Sequence, residues 1–590
     1  MCGIVGYVGN NYNAINVIID GLTNLEYRGY DSAGIAYSEE GLIKIIKEKG
    51  KLENLKNKLD MSILSNLGIG HTRWATHGEA NTINSHPHKV GKVTIVHNGI
   101  IENYSEIKEE LREAGYNFIS DTDSEVGAAL LDKIYNETKS VEQTLSLFLK
   151  KSRGAYALGI IIEGDNHLYA LKKDSPLIIG VGNSENFISS DVPAILKYTN
   201  KYIVLEDSDF AKISADKIIV YDNKVDIKKY EVREFKGKSI DISKNGYDHF
   251  MLKEIYEQPE VIKNTFSSFV KDNKLDLNIP NLNKYRRIDI VACGSAYYAG
   301  YVGKMFIEEY GNIEVNVEVA SEYRYKKLFL NSSVLVIVIS QSGETADTLA
   351  ALKLAKKSGC FTIGIINVVE SSIARLCDKV LYTKAGPEIA VATTKGYTSQ
   401  VAILALIAIQ LSNKNIDGLR KLPIIMQSIL DDTIEYKEIA NKIFDKDPVF
   451  FIGRDIDYAL CMEGSLKLKE ISYINSAAYK AGELKHGTIS LIEKGTIVIA
   501  IMTEPKIMEK TISNIKETKA RGAYVILITT LDVNPEQDYF DEVIYVPRTE
   551  KLFQPMLTVL PLQLLAYEVA KLKGCDIDKP KNLAKSVTVE

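Results

Sequence analysis

The first feature of the sequence that could do chemistry is a cysteine at the second position. The chain begins Met1-Cys2-Gly3, so removal of Met1 would leave the Cys2 thiol beside a free α-amine. An α-amino group titrates at about 7.7–8.0, so a fraction of it is neutral near pH 7 and can take the thiol proton. The pattern favours a nucleophile activated by its own terminal amine. A small buried residue of a first strand is the alternative interpretation.

Further segments of the amino-terminal part offer groups that would bind a substrate of such a nucleophile. Asn98 and Gly99 follow a strand-like apolar run and could supply an amide donor and a bare backbone N–H to an oxyanion. Arg73 could form a bidentate contact with a carboxylate, and Asp123 could bind an ammonium group. Asn-Gly is also a common hairpin turn, and either charge could simply lie at the surface.

A loop rich in hydroxyl groups lies in the second half of the sequence. It follows the apolar strand pattern VLVIVIS, precedes a predicted helix and contains Ser340, Gln341, Ser342 and Thr345. Hydroxyls, an amide and free backbone N–H groups at a helix start can bind a phosphate dianion, helped by the helix dipole. An ordinary helix cap with spare polar residues is the alternative. We expect a phosphate site in this loop.

A predicted helix in the last third of the sequence carries a row of charged side chains. Glu463, Lys467 and Glu470 are spaced i, i+4 and i+7 and therefore share one face. Such a row is commonly a solvated set of ion pairs, but His486 follows in the segment AGELKHGT. A carboxylate, an ammonium and an imidazole within reach of a sugar could move a proton between adjacent carbons.

The tail NLAKSVTVE carries one more candidate, Lys585. Terminal tails are usually frayed, and the pattern alone gives this lysine no role. A lysine that attacks a ketone must be neutral when it does so, which requires a dry or positively charged site. An ordered, buried tail would therefore favour a chemical role over a frayed end.

The elements that would position these residues differ between the two halves of the chain. Residues 1–222 show short alternating runs typical of strands, with helical stretches at 102–114 and 124–135, which predicts an α+β domain. A charged stretch with few apolar residues follows, and we interpret 223–246 as a linker.

From residue 247 the pattern becomes strand, loop and helix, and it occurs twice, with Gly294 and Gly453 in equivalent places. The sequence predicts two doubly wound α/β domains with parallel sheets, over 247–430 and 431–580, and a tail at 581–590. Only the first copy has the hydroxyl-rich loop, because the second has Met-Thr-Glu-Pro there. We therefore expect one phosphate site for the pair. The helices expected after the strands include 346–358, 458–471 and 509–520.

The composition excludes several classes of function. The chain has 590 residues, of which 45% are hydrophobic and 25% charged, as in a globular protein of several domains. A net charge of −5 argues against nucleic acid, and the longest apolar run, 401–409, is too short to cross a membrane. No signal peptide is visible and the six cysteines form no C-x-x-C pair, so we expect reduced thiols in a cytoplasmic protein.

A cluster of histidines raises the alternative of a metal site, which Cys2 could join. The spacings are irregular and no cysteine pair is present, so we expect no metal and no other cofactor. The histidines of this cluster are His71, His77, His86, His88 and His97.

The amino-terminal segments together resemble the glutaminase domain of the class II, or N-terminal-nucleophile, glutamine amidotransferases. CGIVGYVG, LEYRGYDSAGIA, HTRWATHG, HNGIIEN and DTDSE stand in that family's order. The resemblance implies that Cys2 is the nucleophile, that its amine is the base and that a glutamyl thioester releases ammonia. It implies an oxyanion hole made by Asn98 and Gly99. Glutamine would be held by Arg73, Thr76, His77 and Asp123.

The remainder resembles the paired sugar-isomerase (SIS) domains of the glutamine–fructose-6-phosphate aminotransferase family. Matching segments include KEIYEQP, ISQSGETADTL, MEGSLKLKEISYI, AGELKHG and NLAKSVTVE, so the resemblance covers nearly the whole chain. It implies a homodimer that converts D-fructose 6-phosphate and L-glutamine to D-glucosamine 6-phosphate and L-glutamate, with internal transfer of ammonia. This reaction is the first step of amino-sugar nucleotide synthesis.

The same resemblance implies roles for individual residues. Glu470 moves the proton from C1 to C2 of the sugar, assisted by Lys467 and Glu463. Lys585 forms a Schiff base with the ketose, and His486 reaches in from a second subunit to help open the sugar ring. The sugar phosphate is bound by Ser340, Gln341, Ser342 and Thr345, Thr393 contacts the sugar, and Trp74 resembles the gate of the ammonia channel.

Three positions depart from the family pattern. Ala296 stands where the family commonly has a hydroxyl, so one contact to the sugar is lost. Thr393 replaces the usual serine, which keeps a hydroxyl and adds a methyl, and Thr488 replaces a frequent proline. The first change puts affinity for the sugar in question, and none removes a group that the reaction needs.

Three other functions fit parts of the sequence. A phosphoribosyl amidotransferase shares the glutaminase, but would need an acidic diphosphate-ribose loop where only SQSGET is found. A sugar-phosphate-binding regulator should lack Glu470, Lys585 or Cys2, and this chain has all three. A phosphosugar deglycase or isomerase would not need the glutaminase segments.

Overall fold

A computed structural model of the chain describes residues 2–74, 78–235, 243–271, 274–412, 414 and 416–588. The chain divides into two compact units, residues 1–241 together with 586–589, and residues 242–585. None of the helices in the described ranges is long and apolar enough to cross a membrane.

The first unit mixes strands and helices, as predicted. Its helices are α1 (Ala14–Leu25), α2 (Leu52–Lys56), α3 (Tyr104–Glu113), α4 (Asp123–Thr138) and α5 (Val141–Lys151). Its strands are β1 (Gly3–Gly9), β2 (Ser32–Glu39), β3 (Leu42–Lys49), β4 (Leu67–Arg73), β5 (His88–Val90), β6 (Val93–Gly99), β7 (Tyr156–Ile162), β8 (Leu168–Lys173), β9 (Ile178–Val181), β10 (Glu185–Ser189), β11 (Lys201–Val204), β12 (Phe210–Ile213), β13 (Ile218–Tyr221), β14 (Ile227–Lys228) and β15 (Arg233–Glu234).

These strands form two sheets with strand orders β15-β11-β9-β10-β1-β4-β2-β3 and β14-β13-β12-β8-β7-β6-β5. Apolar side chains of both sheets, such as Ile4 and Ile69 from one and Val96 and Ile161 from the other, form a common core. Helix α1 packs against the outer face of the first sheet, and α3, α4 and α5 pack against the second. The unit therefore has four layers, helix, sheet, sheet and helix.

The end of this unit differs from the sequence-based interpretation. Strands β14 and β15 lie within the stretch that we interpret as a linker, 223–246, yet β14 pairs with β13 and β15 pairs with β11. The first unit thus continues at least to Glu234. Strands of two residues are too short to give an alternating pattern in the sequence, so only the charge of the stretch is visible there.

The second unit begins with helices and continues as two parallel sheets. Its helices are α6 (Phe250–Tyr256), α7 (Gln258–Ser267), α8 (Gly294–Gly311), α9 (Ala320–Tyr323), α10 (Ala346–Lys357), α11 (Ser372–Leu376), α12 (Lys395–Ser412), α13 (Asp417–Asp431), α14 (Ile434–Ile443), α15 (Ile456–Ser472), α16 (Met508–Lys519) and α17 (Gln554–Leu572). Its strands are β16 (Val270–Lys271), β17 (Lys274–Leu275), β18 (Arg287–Ala292), β19 (Glu314–Val319), β20 (Val334–Ser340), β21 (Phe361–Ile366), β22 (Lys379–Tyr382), β23 (Val449–Gly453), β24 (Ser476–Lys480), β25 (Ile497–Met502), β26 (Tyr524–Thr530) and β27 (Glu542–Val546).

The two parallel sheets repeat one topology. Their strand orders are β19-β18-β20-β21-β22 and β24-β23-β25-β26-β27, so the first strand of each copy lies between the second and the third. The predicted fold class, an α+β domain followed by two doubly wound α/β domains, is confirmed. In such sheets a crevice opens at the carboxyl ends of the strands where the winding direction reverses, between β18 and β20 in the first copy.

Two candidate active sites

The backbone around Cys2 is fixed by the first sheet. Cys2 directly precedes β1, whose first residue, Gly3, pairs with Thr72 near the end of β4. The backbone N–H of Trp74, just beyond β4, donates to Cys2 Sγ at 3.2 Å. Burial raises the pKa of the Cys2 thiol, although this hydrogen bond and the charge of Arg73 oppose it. The thiol therefore needs a base before it can act as a thiolate.

The side chain of Asn98, at the end of β6, is held between Cys2 and His71. Asn98 Nδ2 donates to the Cys2 backbone oxygen at 3.0 Å, and Asn98 Oδ1 lies 3.0 Å from His71 Nε2. Burial lowers the pKa of His71 to about 3, so its ring is neutral. With its proton on Nε2, that ring donates to the amide oxygen and keeps the amide N–H groups facing Cys2.

Gly99 and Asp123 lie close to this amide. A Cβ on Gly99, whose φ is +115°, would lie 2.1 Å from the Ala155 backbone oxygen, so only glycine fits there. Asp123 is the first residue of α4, and its Oδ2 accepts the N–H of Ile101, two residues beyond Gly99, at 2.8 Å. The β6 end thus positions both groups beside Asn98.

Besides Asp123, Arg73 is the other described residue that is predicted to bind glutamine. It is the last residue of β4, and its two terminal nitrogens donate to the backbone oxygens of Gly78 and Glu79 at 3.2 Å each. Its charge interacts with Cys2 and Asp123. The predicted ligands Thr76 and His77 lie outside the described residues.

Histidine rings form a stacked cluster behind Asn98. The rings of His71 and His86 stack at 4.1 Å, and Ser124 Oγ in α4 lies within hydrogen-bonding distance of both His86 Nε2 and His97 Nδ1. Burial holds the pKa of His86 well below its usual value. In the ranges that the structure describes, no group of three or more His, Cys, Asp or Glu side chains is arranged to hold a metal ion. The hydrogen bonds of these histidines support Asn98 and the start of α4.

Replacement of the Asn98 amide tests the oxyanion-hole prediction. Asn98→Asp keeps the shape of the side chain but removes the N–H donor beside Cys2. Loss of one such donor costs about 10²–10³ in rate, so glutamine hydrolysis should fall by that factor. Sugar isomerisation, measured as interconversion of fructose 6-phosphate and glucose 6-phosphate, should not change. Unaltered glutamine hydrolysis would exclude this role for Asn98.

The predicted phosphate loop joins β20 to α10. Thr345 is the N-cap of α10, Ser340 Oγ lies 3.0 Å from Thr345 Oγ1, and the N–H of Gly343 donates to Ser340 Oγ at 3.0 Å. The loop therefore curls around the start of the helix, at the crevice between β18 and β20. This is the place where anions bind in doubly wound sheets.

The equivalent loop of the second copy is already occupied by a side chain of the protein. The Asp457 carboxylate accepts the backbone N–H of Thr503 at 2.8 Å and of Glu504 at 3.3 Å, and also the Thr503 hydroxyl. These are the kinds of donor that a phosphate would use. The carboxylate of Asp457 thus takes the place of an anion in this loop, and the single phosphate site stays a prediction.

The acidic and basic side chains of α15 form a buried cluster and not a solvated row. Lys467, with its side chain 1% exposed, lies 2.6 Å from Glu470 Oε2 and 3.5 Å from Glu463 Oε1. Ser295, at the start of α8, donates to the same Glu463 oxygen at 3.0 Å. Burial raises the pKa of Glu463 to about 7, against the lowering effect of the Lys467 charge.

The tail is ordered at Lys585, whose side chain is 3% exposed. Its Nζ lies 2.5 Å from Oε2 of Glu388, and the Thr393 hydroxyl donates to the same oxygen at 2.6 Å. Sequence reasoning selected Lys585 and Thr393 but missed Glu388. The acid stands in the segment AGPEIAVATTKG, where nothing in the local pattern marks it.

His486 is not brought to these groups within one chain. It ends a short 3₁₀ helix, Leu484–His486, and its side chain is exposed. In the part of the chain that the structure describes, no hydrogen bond or ion pair links its ring to Glu463, Lys467 or Glu470. Its predicted part in opening the sugar ring, from a second subunit, stays a prediction.

Comparison with known proteins agrees with the domains predicted for both halves of the chain. The profile of a glutamine amidotransferase domain matches residues 71–197, and the SIS domain profile matches 281–410 and 442–573. The C-terminal domain of glucosamine-fructose-6-phosphate aminotransferase from Francisella tularensis is 39% identical, with a TM-score of 0.54. The match covers 100% of that structure and 57% of this chain.

Three relatives that match over their full length carry the same name. Proteins named glutamine–fructose-6-phosphate aminotransferase [isomerizing] from Caldanaerobacter subterraneus, Clostridium tetani and Pyrococcus horikoshii are 50%, 48% and 46% identical, over 615, 611 and 603 residues. Each comparison covers 100% of both chains. The chain therefore belongs to the isomerizing glutamine–fructose-6-phosphate aminotransferase family.

Proposed function

We propose that this chain transfers the amide nitrogen of L-glutamine to D-fructose 6-phosphate and isomerises the product to D-glucosamine 6-phosphate, with release of L-glutamate. The observation that carries the proposal is the presence of two separate sites in one chain. One has a thiol beside an amide donor, and the other has buried carboxylates and two lysines near a phosphate-type loop.

The first site has the groups for hydrolysis of an amide through a thioester. After Met1 is removed, the α-amine of Cys2 takes the proton of its own thiol, and Sγ attacks the glutamine side-chain carbon. Asn98 donates to the oxyanion that forms, together with the Gly99 backbone. Collapse of this intermediate releases ammonia, and water then frees glutamate. Arg73 and Asp123 are suited to hold the α-carboxylate and α-ammonium of the substrate.

The second site has the groups for imine formation and proton transfer. Lys585 forms a Schiff base with C2 of the open-chain ketose, and ammonia replaces the lysine on that carbon. Glu470 then moves a proton from C1 to C2, which gives the amino aldose. Lys467 lies between Glu463 and Glu470 and holds both acids in place. The loop 340–345 anchors the phosphate, with Gln341 and Thr393 near the sugar.

A homodimer is part of this proposal. The exposure of His486 on its own chain supports it, since a ring that faces solvent can reach the sugar of a second copy. Two aromatic side chains, Tyr325 and Phe329, are also 73% and 66% exposed and would be covered in an assembly.

One assay tests the overall reaction. Glutamine labelled with ¹⁵N at the amide, incubated with fructose 6-phosphate and the protein, should give glucosamine 6-phosphate that carries ¹⁵N. Mass spectrometry of the sugar product measures the label. A sugar product without ¹⁵N, or none at all, would contradict the proposal.

Removal of the proposed proton-transfer group separates the two reactions. Glu470→Gln keeps the size of the side chain but cannot take a proton, so sugar isomerisation should fall by about 10²–10⁴. Glutamine hydrolysis should be retained. Lys469→Gln, which changes the exposed neighbouring residue of α15, is the control and should leave both rates unchanged. Normal isomerisation by Glu470→Gln would mean that another group moves the proton.

A further inference from the structure

The ion pair between Lys585 and Glu388 is buried on both sides. The two side chains are 3% and 0% exposed, and Lys585 Nζ lies 2.5 Å from Glu388 Oε2. Two charges taken out of water lose much hydration, and such a pair persists only when further hydrogen bonds satisfy it. The hydrogen-bond donors around Glu388 therefore show whether the site stabilises a carboxylate at this position.

Glu388 has a full set of donors. Its Oε1 accepts the backbone N–H groups of Thr394 and Gly396, each at 2.9 Å, and its Oε2 accepts the hydroxyl of Thr393. These donors belong to the start of helix α12, where the helix dipole favours an anion. Burial would raise the pKa of Glu388, but the charge and hydrogen bond of Lys585 lower it to about 2.

A second buried acid, Glu254 of helix α6, lies beside Glu388, and its pKa is shifted in the opposite direction. Its Oε1 accepts the N–H groups of Ile389 and Ala390, at 2.5 and 3.3 Å, whereas its Oε2 has no hydrogen-bond partner among the described residues. Burial and the charge of Glu388 raise the pKa of Glu254 to about 8. Near neutral pH the raised pKa of Glu254 favours its protonated form, and the lowered pKa of Glu388 favours its carboxylate.

Glu388 also lies at the sugar site. A Cβ placed on Gly396 would lie 2.8 Å from Glu388 Oε2, 2.6 Å from the Thr393 hydroxyl and 3.2 Å from Cγ of Gln341. The bare Gly396 thus lets Gln341, at the start of the phosphate loop, approach the Glu388 carboxylate. The charge of Glu388 also acts on Lys467 of the α15 cluster. The Lys585–Glu388 pair and the Lys467 cluster are therefore close enough for their charges to interact.

We infer that Glu388 is the general acid–base and the counter-ion of Lys585 during imine formation, an inference that rests on the proposed function. Glu388 takes a proton from the Lys585 ammonium, and the neutral amine forms a bond to C2 of the ketose as the C2–O π bond breaks. Proton transfer gives a neutral carbinolamine. The proton on Glu388 then passes to the C2 hydroxyl, which leaves as water. The products are a cationic imine and the Glu388 carboxylate.

The charge balance explains why a carboxylate is held there. Lys585 is positive before the reaction, and its imine with the sugar is positive after it, so Glu388 faces a cation at both stages. An amide at position 388 could still accept the two backbone N–H groups of α12, but it could neither take the proton nor balance the imine. An unpaired buried cation is strongly disfavoured.

Two matched glutamine variants test this inference. The protein is mixed with fructose 6-phosphate and borohydride, and the adduct on Lys585 is quantified by peptide mass spectrometry. For Glu388→Gln we expect the rate of adduct formation and of glucosamine 6-phosphate synthesis to fall about 10²–10³-fold. Glu254→Gln replaces an acid whose raised pKa favours its neutral form, and the amide oxygen introduced there can still accept the two backbone N–H groups, so both rates should stay within about threefold of the unchanged protein. The rate of glutamine hydrolysis should be equal in the unchanged protein and in both variants.

A third variant separates charge from structure. Glu388→Asp keeps the carboxylate on a shorter side chain and should recover at least about tenfold of the rate that Glu388→Gln loses. Adduct formation by Glu388→Gln at the unchanged rate, or equal losses for Glu254→Gln and Glu388→Gln, would overturn the inference. Failure of Glu388→Asp to recover any rate would also overturn it. Absence of any Lys585 adduct in the unchanged protein would contradict the proposed function itself.

Discussion

Cys2→Ala is expected to abolish the use of glutamine, with hydrolysis reduced by at least about 10⁴-fold, while fructose 6-phosphate and glucose 6-phosphate still interconvert. The reason is that the thiol forms the bond to the substrate, and alanine has no nucleophile to take its place. The sugar chemistry depends on side chains of the other unit, such as Lys467 and Lys585, and does not need Cys2. Glutamate release and sugar interconversion, measured separately, check both halves of the result.

The control for this variant is another thiol. Burial raises the pKa of Cys377 to about 12, so Cys377→Ala removes a thiol that stays protonated and should leave glutamine hydrolysis unchanged. A glutamine-like electrophile should label Cys2 and none of the other five cysteines. If Cys2→Ala abolished both reactions, the assignment of the two chemistries to separate units would be wrong.

The state of the amino terminus belongs to the same prediction. Because burial raises the pKa of the Cys2 thiol, a base must take its proton, and the proposed base is the α-amine that Met1 would block. Mass spectrometry of active protein should therefore show a chain that begins at Cys2. Full glutamine hydrolysis by protein that retains Met1 would rule out this base.

Features that depend on neighbours in the sequence could be predicted well. The row Glu463, Lys467 and Glu470 shares a helix face because of its spacing, and the loop after β20 reaches the start of α10 because strand and helix are adjacent in the chain. Burial of the row was not predictable from spacing, since the same pattern is typical of a solvated face. It follows from the packing of α15 against α8, α17 and its sheet.

Features that depend on distant pairs could not be predicted from one sequence. Glu388 meets Lys585 across 197 residues, and His71 meets Asn98 across 27. The residues next to Glu388 and next to His71 in the sequence do not indicate which side chain each will contact. Asp457 is a similar case, because its carboxylate reaches the loop at Thr503 only after two strands of the second sheet lie side by side. Tertiary structure decides all three contacts.

The second large effect is expected at the tail, where Lys585→Ala should reduce synthesis of glucosamine 6-phosphate by at least about 10³-fold with glutamine hydrolysis retained. If the tail were frayed, this variant would leave the rate of synthesis unchanged. The Lys585 side chain is, however, buried and paired with Glu388. Lys581→Ala, at an exposed lysine of the same tail, is the control and should retain synthesis.

Borohydride reduction in the presence of fructose 6-phosphate identifies which lysine forms the imine. Burial would lower the pKa of Lys467, but the charges of Glu463 and Glu470 raise it overall, so this amine stays protonated and is a poor nucleophile. Lys585 Nζ is paired with Glu388, the acid that takes the lysine proton in the imine-forming step proposed above. The reduced adduct should therefore be found on Lys585 and be absent from Lys585→Ala. An adduct on Lys467 would reverse the roles of the two lysines, with Lys585 left to hold Glu388 in place.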